Sequence, residues 1–432
     1  MKIKSLIIED LFDIFHYDIS FKSNENVFII TGPNGFGKTM VLNIINNLFN
    51  RKFLFFQKLV FKKISFFLES SISIILDRKI KDSQQEITIS FFQENKLIDT
   101  INFSNKLEVD IERSIQRYLP IRRISDNKWI DLRTDESYSS RSELVEKYAE
   151  YLPDDVKGKI HKISSPLVND ILDSVKVYLI KEQRLFIKSS LKTGMHRDES
   201  DQQVMVETIQ TYAKELKLLI NEFTQKSFKR SQELDSSYPN RLINEKNILN
   251  KNEYEIRYNS LKKKQDKLTK LGLYESTQEF LAYSANDAKA LSVYIKDYES
   301  KLGVFDELLE KIVLFSNILN ERRFTFKTIG INRDQGFFFK TSKNSDLRLN
   351  DLSSGEQHEV VLLYELIFNV NKKAVILIDE PEISLHITWQ KEFLNDLIKI
   401  VGNKDVQVLI ATHSPAIINN RWDLVHNLET AE

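Results

Sequence analysis

Gly32-Pro33-Asn34-Gly35-Phe36-Gly37-Lys38-Thr39 is the stretch whose reading decides the fold. It fits G-x-x-x-x-G-K-[ST] at every fixed position. Before it, Val27-Phe28-Ile29-Ile30 is an apolar run suited to a buried strand; after it, Met40, Val41, Ile44, Ile45 and Leu48 recur at helical spacing. Strand, glycine loop and helix in that order make half of an α/β unit. Glycines let backbone N–H groups converge on phosphate oxygens, and the helix N-terminus adds partial positive charge. In such a loop Lys38 would pair with the β- and γ-phosphates, and the Thr39 hydroxyl would ligate Mg2+. The chain has only 11 Gly in 432 residues, so a cluster here is not compositional background.

Length and composition set the frame. A chain of 432 residues suggests two or three domains. Apolar residues make up 41% and aromatics 11%, which is enough for a large core and excludes intrinsic disorder. Lys+Arg and Asp+Glu are both 62, so the chain has no overall basic surplus for coating nucleic acid. There is no cysteine, which removes disulfides, thiolate metal sites and Cys nucleophiles. Glu9 and Asp10 interrupt the apolar run that a signal peptide would need, and no stretch of about 18 apolar residues occurs. The expectation is a soluble, cytoplasmic protein with no membrane contact.

Further along, Ser71–Leu76, Glu86–Phe92 and Lys96–Phe103 read as an antiparallel meander, with helices over 107–118, 136–151 and 164–174 and a buried strand at Val175–Ile180. From about 200 the pattern changes. Met205, Ile209, Tyr212, Leu216, Leu219 and Phe223 alternate spacings of four and three, as do Tyr254, Tyr258, Leu261, Gln265 and Leu268, and then Leu291 to Ile312. That is a heptad seam. With a break at Leu271-Gly272-Leu273 it predicts an antiparallel helical hairpin projecting as an arm of about 45 Å. The seam is rich in aromatics (Tyr212, Phe223, Tyr254, Tyr258, Tyr298, Phe305), which suits multi-helix packing better than a slim two-stranded coil. The α/β pattern returns after 323, with a hairpin at 324–341, helices at 356–369 and 387–401, and strands at 374–378 and 406–410. The domain reading is an N-terminal part of a nucleotide-binding head over 1–200, a helical insertion over 201–322, and the C-terminal part of the head over 323–432.

A second chemical signal is Ala374-Val375-Ile376-Leu377-Ile378-Asp379-Glu380-Pro381. A buried strand that delivers carboxylates at its C-terminal end places them where α/β sheets bind ligands. Asp379 would hold Mg2+, and Glu380 would orient and polarise the attacking water.

These motifs, with three more in order, resemble those of ABC-type ATPases. Leu352-Ser353-Ser354-Gly355-Glu356-Gln357 is similar to their signature loop, although many members have another small residue where Ser353 stands. Ala411-Thr412-His413-Ser414 is similar to the switch-histidine segment, and Gln183 in Val177–Arg184 to the Q-loop glutamine. Glu382-Ile383-Ser384-Leu385-His386 stands where the D-loop would be. The resemblance covers roughly 1–50, 175–190 and 323–432. It implies an ABC-type head, a mixed sheet with flanking helices and an antiparallel β subdomain, interrupted by the helical hairpin. It implies ATP and Mg2+ as cofactors, with Asn34, Gly35, Gly37, Lys38, Thr39, Ser354 and Gly355 on the nucleotide. Thr39, Asp379 and Gln183 would be on the metal, and Glu380, His413 and Gln183 in catalysis. In the family the signature loop contacts the γ-phosphate held by the other subunit, so Ser354 and Gly355 imply a head-to-tail dimer sandwiching two ATPs.

The heptad insertion resembles the SMC, RecF and OLD-like group rather than transporter heads. OLD nucleases continue into a Toprim domain; too few residues follow His413 for one here, so a nuclease centre is expected on a separate protein. Within the group, Asp351–Glu359, Asp379–His386 and Asn420-Arg421-Trp422-Asp423-Leu424 resemble the ATPase subunit of PARIS-type anti-phage systems, and Septu-type ATPases share most of this. That implies a regulatory ATPase assembled as a dimer of heads or a larger homo-oligomer. It would act with a nuclease effector, Toprim-type in PARIS and HNH-type in Septu, and a phage protein as trigger. The competing reading is an SMC/RecF-like DNA-repair ATPase that binds DNA directly. Zero net charge favours the first, because duplex binding normally needs a Lys/Arg surplus on the binding face.

Overall fold

The computed structural model describes residues 1–21, 26–81, 84–103, 106–125, 128–133, 136–148, 165–190, 203–274, 281–321, 324, 326–370, 373–383, 385–402 and 404–430. The chain opens with β1 (Ile3–Leu11), β2 (Phe15–Ser20), β3 (Val27–Thr31), α1 (Lys38–Phe49) and α2 (Leu54–Lys58). Next come β4 (Lys63–Leu68), β5 (Ile72–Lys81), β6 (Gln84–Gln93) and β7 (Lys96–Phe103), then α3 (Lys106–Tyr118), β8 (Ile121–Ser125), β9 (Lys128–Asp131), β10 (Ser137–Tyr138) and α4 (Arg141–Tyr148). α5 (Pro166–Ser174), β11 (Val177–Ile180), β12 (Phe186–Ser190) and β13 (Gln203–Glu207) lead into α6 (Thr208–Asn244), α7 (Lys251–Lys270), α8 (Ala288–Gly303) and α9 (Asp306–Glu321). The chain returns through β14 (Lys327–Asn332), β15 (Gly336–Thr341), β16 (Asp346–Leu347), α10 (Ser354–Tyr364), β17 (Lys373–Asp379), α11 (Ile387–Val401), β18 (Asp405–Ala411), α12 (Pro415–Ile418) and β19 (Val425–Asn427).

Two sheets organise the head. One has five strands in the order β11-β17-β18-β3-β19, all pairings parallel. The other has six in the order β2-β1-β4-β5-β6-β7, all antiparallel. The α/β head with its antiparallel β subdomain is as expected, and the mixing of strand directions lies between the sheets rather than within one. The parallel strands read as continuous apolar runs because both faces are covered. Leu377, Leu409 and Val375 face a core shared with α1 and the antiparallel sheet, whereas Ile376, Ile378, Val408 and Ile410 face a second core with α10 and α11. A small satellite core of α3, α4 and β8–β10 surrounds the buried Trp129, whose Nε1 donates to Glu112 at 3.1 Å. Of the helix expected over 136–151, Arg141–Tyr148 forms α4, Ser137–Tyr138 is instead strand β10 paired with β9, and 149–151 lie outside the described residues.

The helical insertion is present, with a different reversal. α6 has 37 residues, about 55 Å at 1.5 Å per residue. Its outer half runs antiparallel to α8, tied by Arg230–Ser300 at 2.8 Å, Lys301–Asp235 at 3.1 Å and the Arg241–Asp297 ion pair. α7 packs on α8 in the same direction, through Arg257–Glu299 and Tyr298–Gln265. The chain turns back at 245–250, not at Gly272. Asn250 starts α7 with a capping box: its side chain accepts from Glu253 N–H at 2.9 Å while Glu253 accepts from Asn250 N–H at 3.2 Å. Gly272, at φ +62°, ends α7, with Leu273 N–H donating to Leu268 O and Gly272 N–H to Thr269 O. Glycine read as a hairpin turn is therefore a helix C-cap. Tyr254, Tyr258 and Tyr298 are buried inside this three-helix arrangement, and Phe305, buried just after α8, packs on Tyr274. The multi-helix packing implied by the aromatic seam is satisfied within one chain.

The inner half of α6 lies on the head. Tyr212 stacks on Tyr364 at 4.5 Å and donates to Glu365 at 2.6 Å. Gly336, at φ +77°, makes the close approach possible, since a Cβ there would meet the Ala213 carbonyl oxygen at 2.0 Å. Leu216 is fully buried at this junction. Leu216→Ala is expected to cost about 2–5 kcal/mol by leaving a cavity, seen as a lowered unfolding midpoint in urea. An unchanged midpoint would show that the junction contributes nothing to stability.

Candidate functional site

Register assembles the site. Asp379 pairs with Ala411, and Ala411 with Ile30, so three adjacent strands end level. From those ends emerge the Asp379–Glu380 pair, the Thr412–His413 segment and the glycine loop. Beside them β11 ends with Ile180 opposite Ile378, which sets the loop carrying Gln183 at the same edge. This is the carboxyl edge at which open α/β sheets bind ligands.

The glycine loop adopts backbone that glycine favours, with φ +91° at Gly35 and +73° at Gly37, the residue before α1. The antiparallel sheet pins it: Tyr17 of β2 donates to Phe36 O at 2.7 Å, and Phe15 packs on Phe36. Burial pushes the Tyr17 phenol up to about 12, so it stays a donor. Lys38 is buried and folds back across the loop, donating to Gly32 O at 2.9 Å and Pro33 O at 3.4 Å, with Glu380 Oε1 3.7 Å away. Phosphate oxygens would be better partners for that ammonium than neutral carbonyls, because charge-assisted bonds are roughly twice as strong.

Thr39 Oγ1 donates to Asp379 Oδ1 at 3.0 Å, joining residues 340 positions apart. A hydroxyl and a buried carboxylate side by side form a hard-oxygen pair that suits Mg2+, which typically takes one or two protein oxygens and completes its shell with water and phosphate. Burial raises the Asp379 carboxyl above its ordinary value, opposed by the Thr39 bond and by Lys38. A divalent cation would relieve that cost.

Glu380 has φ +44°, a strained backbone for glutamate. It points its carboxylate between Lys38 and His413, with His413 Nδ1 at 2.6 Å from Oε2. Burial raises its carboxyl, Glu382 adds to that, and His413 and Lys38 oppose it. Glu382 is also buried, and its Oε1 accepts from the Thr412 hydroxyl and from the backbone of His413 and Ser414. Glu380, Glu382 and His413 offer ligand atoms all within 4.8 Å of one another. With Glu382 Oε1 taken by three donors, the group reads as a hydrogen-bond network.

The structure thus brings together Lys38, Thr39, Asp379, Glu380 and His413. Asn34 and Gly35 lie exposed on the loop itself. Gln183 is exposed on the neighbouring loop, and the Thr39–Asp379 and Glu380–His413 contacts form without it. Ser354 and Gly355 open α10 elsewhere. Ser353 is its N-cap, in a capping box with Glu356, and Lys327 donates to both Glu356 oxygens at 2.8 Å. Burial works to raise the Glu356 carboxyl, but Lys327 and Ser353 outweigh it and hold it below its ordinary value. Ser354 itself is exposed. His386 is the N-cap of α11, its Nδ1 accepting from Thr388 N–H at 3.3 Å.

Two residues escaped the sequence reading. Glu382 stands in the D-loop segment, where the resemblance gives it no role; D-E-P-E ahead of T-H-S is its visible signal. Arg184, next to Gln183, is buried, and both its terminal nitrogens lack a hydrogen-bond partner among the described residues. Burial pulls its guanidinium down, against the pull of Glu365, Asp379, Glu182 and Glu382. Burial, with Arg184 adding to it, pulls His358 of α10 down to about 4. A lone Arg carries no sequence signal for that environment.

A model of the AAA ATPase domain family matches residues 1–418. Among solved structures, the Smc head domain with an extended coiled coil bound to the C-terminal domain of ScpA, from Pyrococcus furiosus, is similar at 14% identity over 97% of this chain and 91% of that one, with a TM-score of 0.38. The SMC head domain from Thermotoga maritima is similar at 10% identity over 99% and 94%, with a TM-score of 0.34. At these TM-scores the likeness is distant. Among the described residues no helix is long and apolar enough to cross a membrane.

Proposed function

The chain belongs to the AAA ATPase domain family, and from that premise we propose that it is an SMC/RecF-like, ABC-type ATPase that regulates a separate nuclease effector in anti-phage defence. The observation that carries the ATPase part is the convergence of Lys38, Thr39, Asp379, Glu380 and His413 on one sheet edge. Lys38 and the loop N–H groups bind the phosphates of ATP. Thr39 and Asp379, with Gln183 from the neighbouring loop, would hold Mg2+, which would supply positive charge to offset that of the phosphates. Glu380, aimed between Lys38 and His413, orients and polarises water, and His413 holds that carboxylate.

The pairing of heads follows from the other half of the motif set. Ser354 and Gly355 are a capped helix start with backbone donors, Ser354 exposed and Gly355 half-buried, and among the described residues no hydrogen bond or ion pair joins them to the Lys38 cluster. They complete a nucleotide site only if a second copy presents them. We expect light scattering to show at least a dimer when ATP is present and hydrolysis is blocked, and Ser354→Arg to leave a monomer that still binds ATP. A monomer in the unsubstituted protein under those conditions would refute the pairing. A larger assembly would have to use faces outside the helical seam, which is consumed within the chain.

The defence role is supported by the motif resemblance of 351–359, 379–386 and 420–424. It favours a Toprim-type nuclease over an HNH-type one, and a phage protein as trigger. Co-purification with a nuclease encoded beside this chain tests it. One observation favours direct DNA binding instead: α7 exposes Lys262, Lys263, Lys267 and Lys270 within about three turns. Salt-dependent duplex binding that falls when these lysines are replaced would establish that reading.

A further inference from the structure

The loop carrying His413 leaves the sheet immediately after Thr412, whose N–H makes the last strand-like bond, to Ile30 O at 3.1 Å. Beyond that point its anchor is Glu382, on the turn after β17. One oxygen, Oε1, accepts from Thr412 Oγ1 at 2.6 Å, His413 N at 3.0 Å and Ser414 N at 3.2 Å. The same turn is braced from behind: Ser414 Oγ donates to Gln390 Oε1 at 2.9 Å, and Gln390 donates to Leu385 O at 3.0 Å.

We propose that Glu382 is the positioning residue of this loop, fixing the His413 imidazole against Glu380 by gripping the three consecutive residues 412–414. The physical case is the number and kind of donors. A carboxylate that is 93% buried is costly unless several donors compensate it. Here all three hydrogen-bond donors to Oε1 come from one short segment, so charge burial and loop geometry are coupled in the same interaction. Glu380 and Glu382 therefore divide the work. Glu380 faces the groups that would do chemistry, Lys38 and the His413 ring. Glu382 grips the backbone that aims the ring, and the same Oε1 also lies 3.3 Å from the His413 Nδ1. Its second oxygen, Oε2, has no hydrogen-bond partner among the described residues, so glutamine can keep the accepting oxygen in place at the cost of one amide group left unpaired.

The kinetic consequence rests on the reading of the chain as an ATPase; the geometric one does not, and the two are measured separately. Amide hydrogen exchange at His413 and Ser414, without nucleotide, should accelerate at least about tenfold in Glu382→Ala and far less in Glu382→Gln, because exchange reports local opening. Single-turnover hydrolysis should slow by about 10–100-fold in Glu382→Ala, as for lost supports of a reacting group. ATP affinity should stay within about threefold, because the phosphate loop is untouched. Glu382→Gln should recover most of the rate. In a His413→Ala background, Glu382→Ala should slow hydrolysis further by less than about threefold, as expected for a residue acting through another. Where Glu382→Ala does not fold, Thr412→Val removes one donor alone and should give a smaller change in the same two measurements. Unchanged exchange at 412–414 overturns the proposal, and so does a full additional rate loss in the His413→Ala background. A wild-type chain that hydrolyses no ATP but shows the exchange change overturns the ATPase reading and leaves the positioning role standing.

Discussion

Glu380→Gln is expected to bind ATP about as well as the unsubstituted chain and to hydrolyse it roughly 10²–10⁴-fold more slowly, the usual contribution of a positioned proton acceptor. The substitution keeps the length and planarity of the side chain. It removes the negative charge that draws a proton from water and that holds His413 at 2.6 Å. It leaves intact the loop carbonyls and glycines around Lys38 and the Thr39–Asp379 contact at 3.0 Å. Binding and turnover should therefore separate, and the ATP-bound pair of heads should accumulate. Calorimetric ATP affinity together with single-turnover phosphate release measures both. Hydrolysis at the unsubstituted rate would remove Glu380 from the chemistry.

Lys38→Ala is expected to act one step earlier, on affinity. A buried charge-assisted hydrogen bond is worth about 1.5–3 kcal/mol, which is one to two decades in dissociation constant. The fold should tolerate the change. The ammonium is satisfied by Gly32 O and Pro33 O, loop carbonyls that would still reach water, and α1 is anchored independently by Val41, Leu42, Ile44, Ile45 and Leu48, all fully buried. Calorimetric titration with ATP and Mg2+, beside a thermal melt, distinguishes lost affinity from lost structure. Equal ATP affinity in Lys38→Ala and the unsubstituted chain would sink the assignment of this loop as the phosphate site.

The two variants also differ in what they should do to assembly. Glu380→Gln keeps ATP in place and should stabilise the head pair. Lys38→Ala removes the ligand that the pair encloses and should shift it toward monomer at equal concentration.

Much of this site could be read without coordinates because its parts are local. A phosphate loop needs glycine, lysine and threonine at fixed spacing beside one strand and one helix, so Gly32–Thr39 declares itself within a few residues. The acids Asp379 and Glu380 stand out because a run of apolar residues stops at them, and a parallel strand buried on both faces has to be written that way. The heptad spacing likewise announced long helices, and α6 is one of them.

What the sequence left open is everything that joins distant segments. Periodicity says that Tyr254, Tyr258 and Tyr298 face a seam; it is silent on whether the seam closes within the chain or across two copies, since the same stripe satisfies both. Gly272 carries the same letter whether it turns a hairpin or caps a helix, and only the packing of α7 on α8 decides. Strand register is the strongest case. Asp379, Ala411 and Ile30 lie far apart in the chain, and only their pairing in one parallel sheet brings Glu380 to Lys38 and His413. The grip of Glu382 on residues 412–414 spans 30 positions or more. The sequence by itself determined which residues could do the chemistry, because side-chain type and short-range spacing are local properties. The tertiary structure alone decided which of them meet, because long-range contacts form only when separate segments bury their apolar faces in a common core.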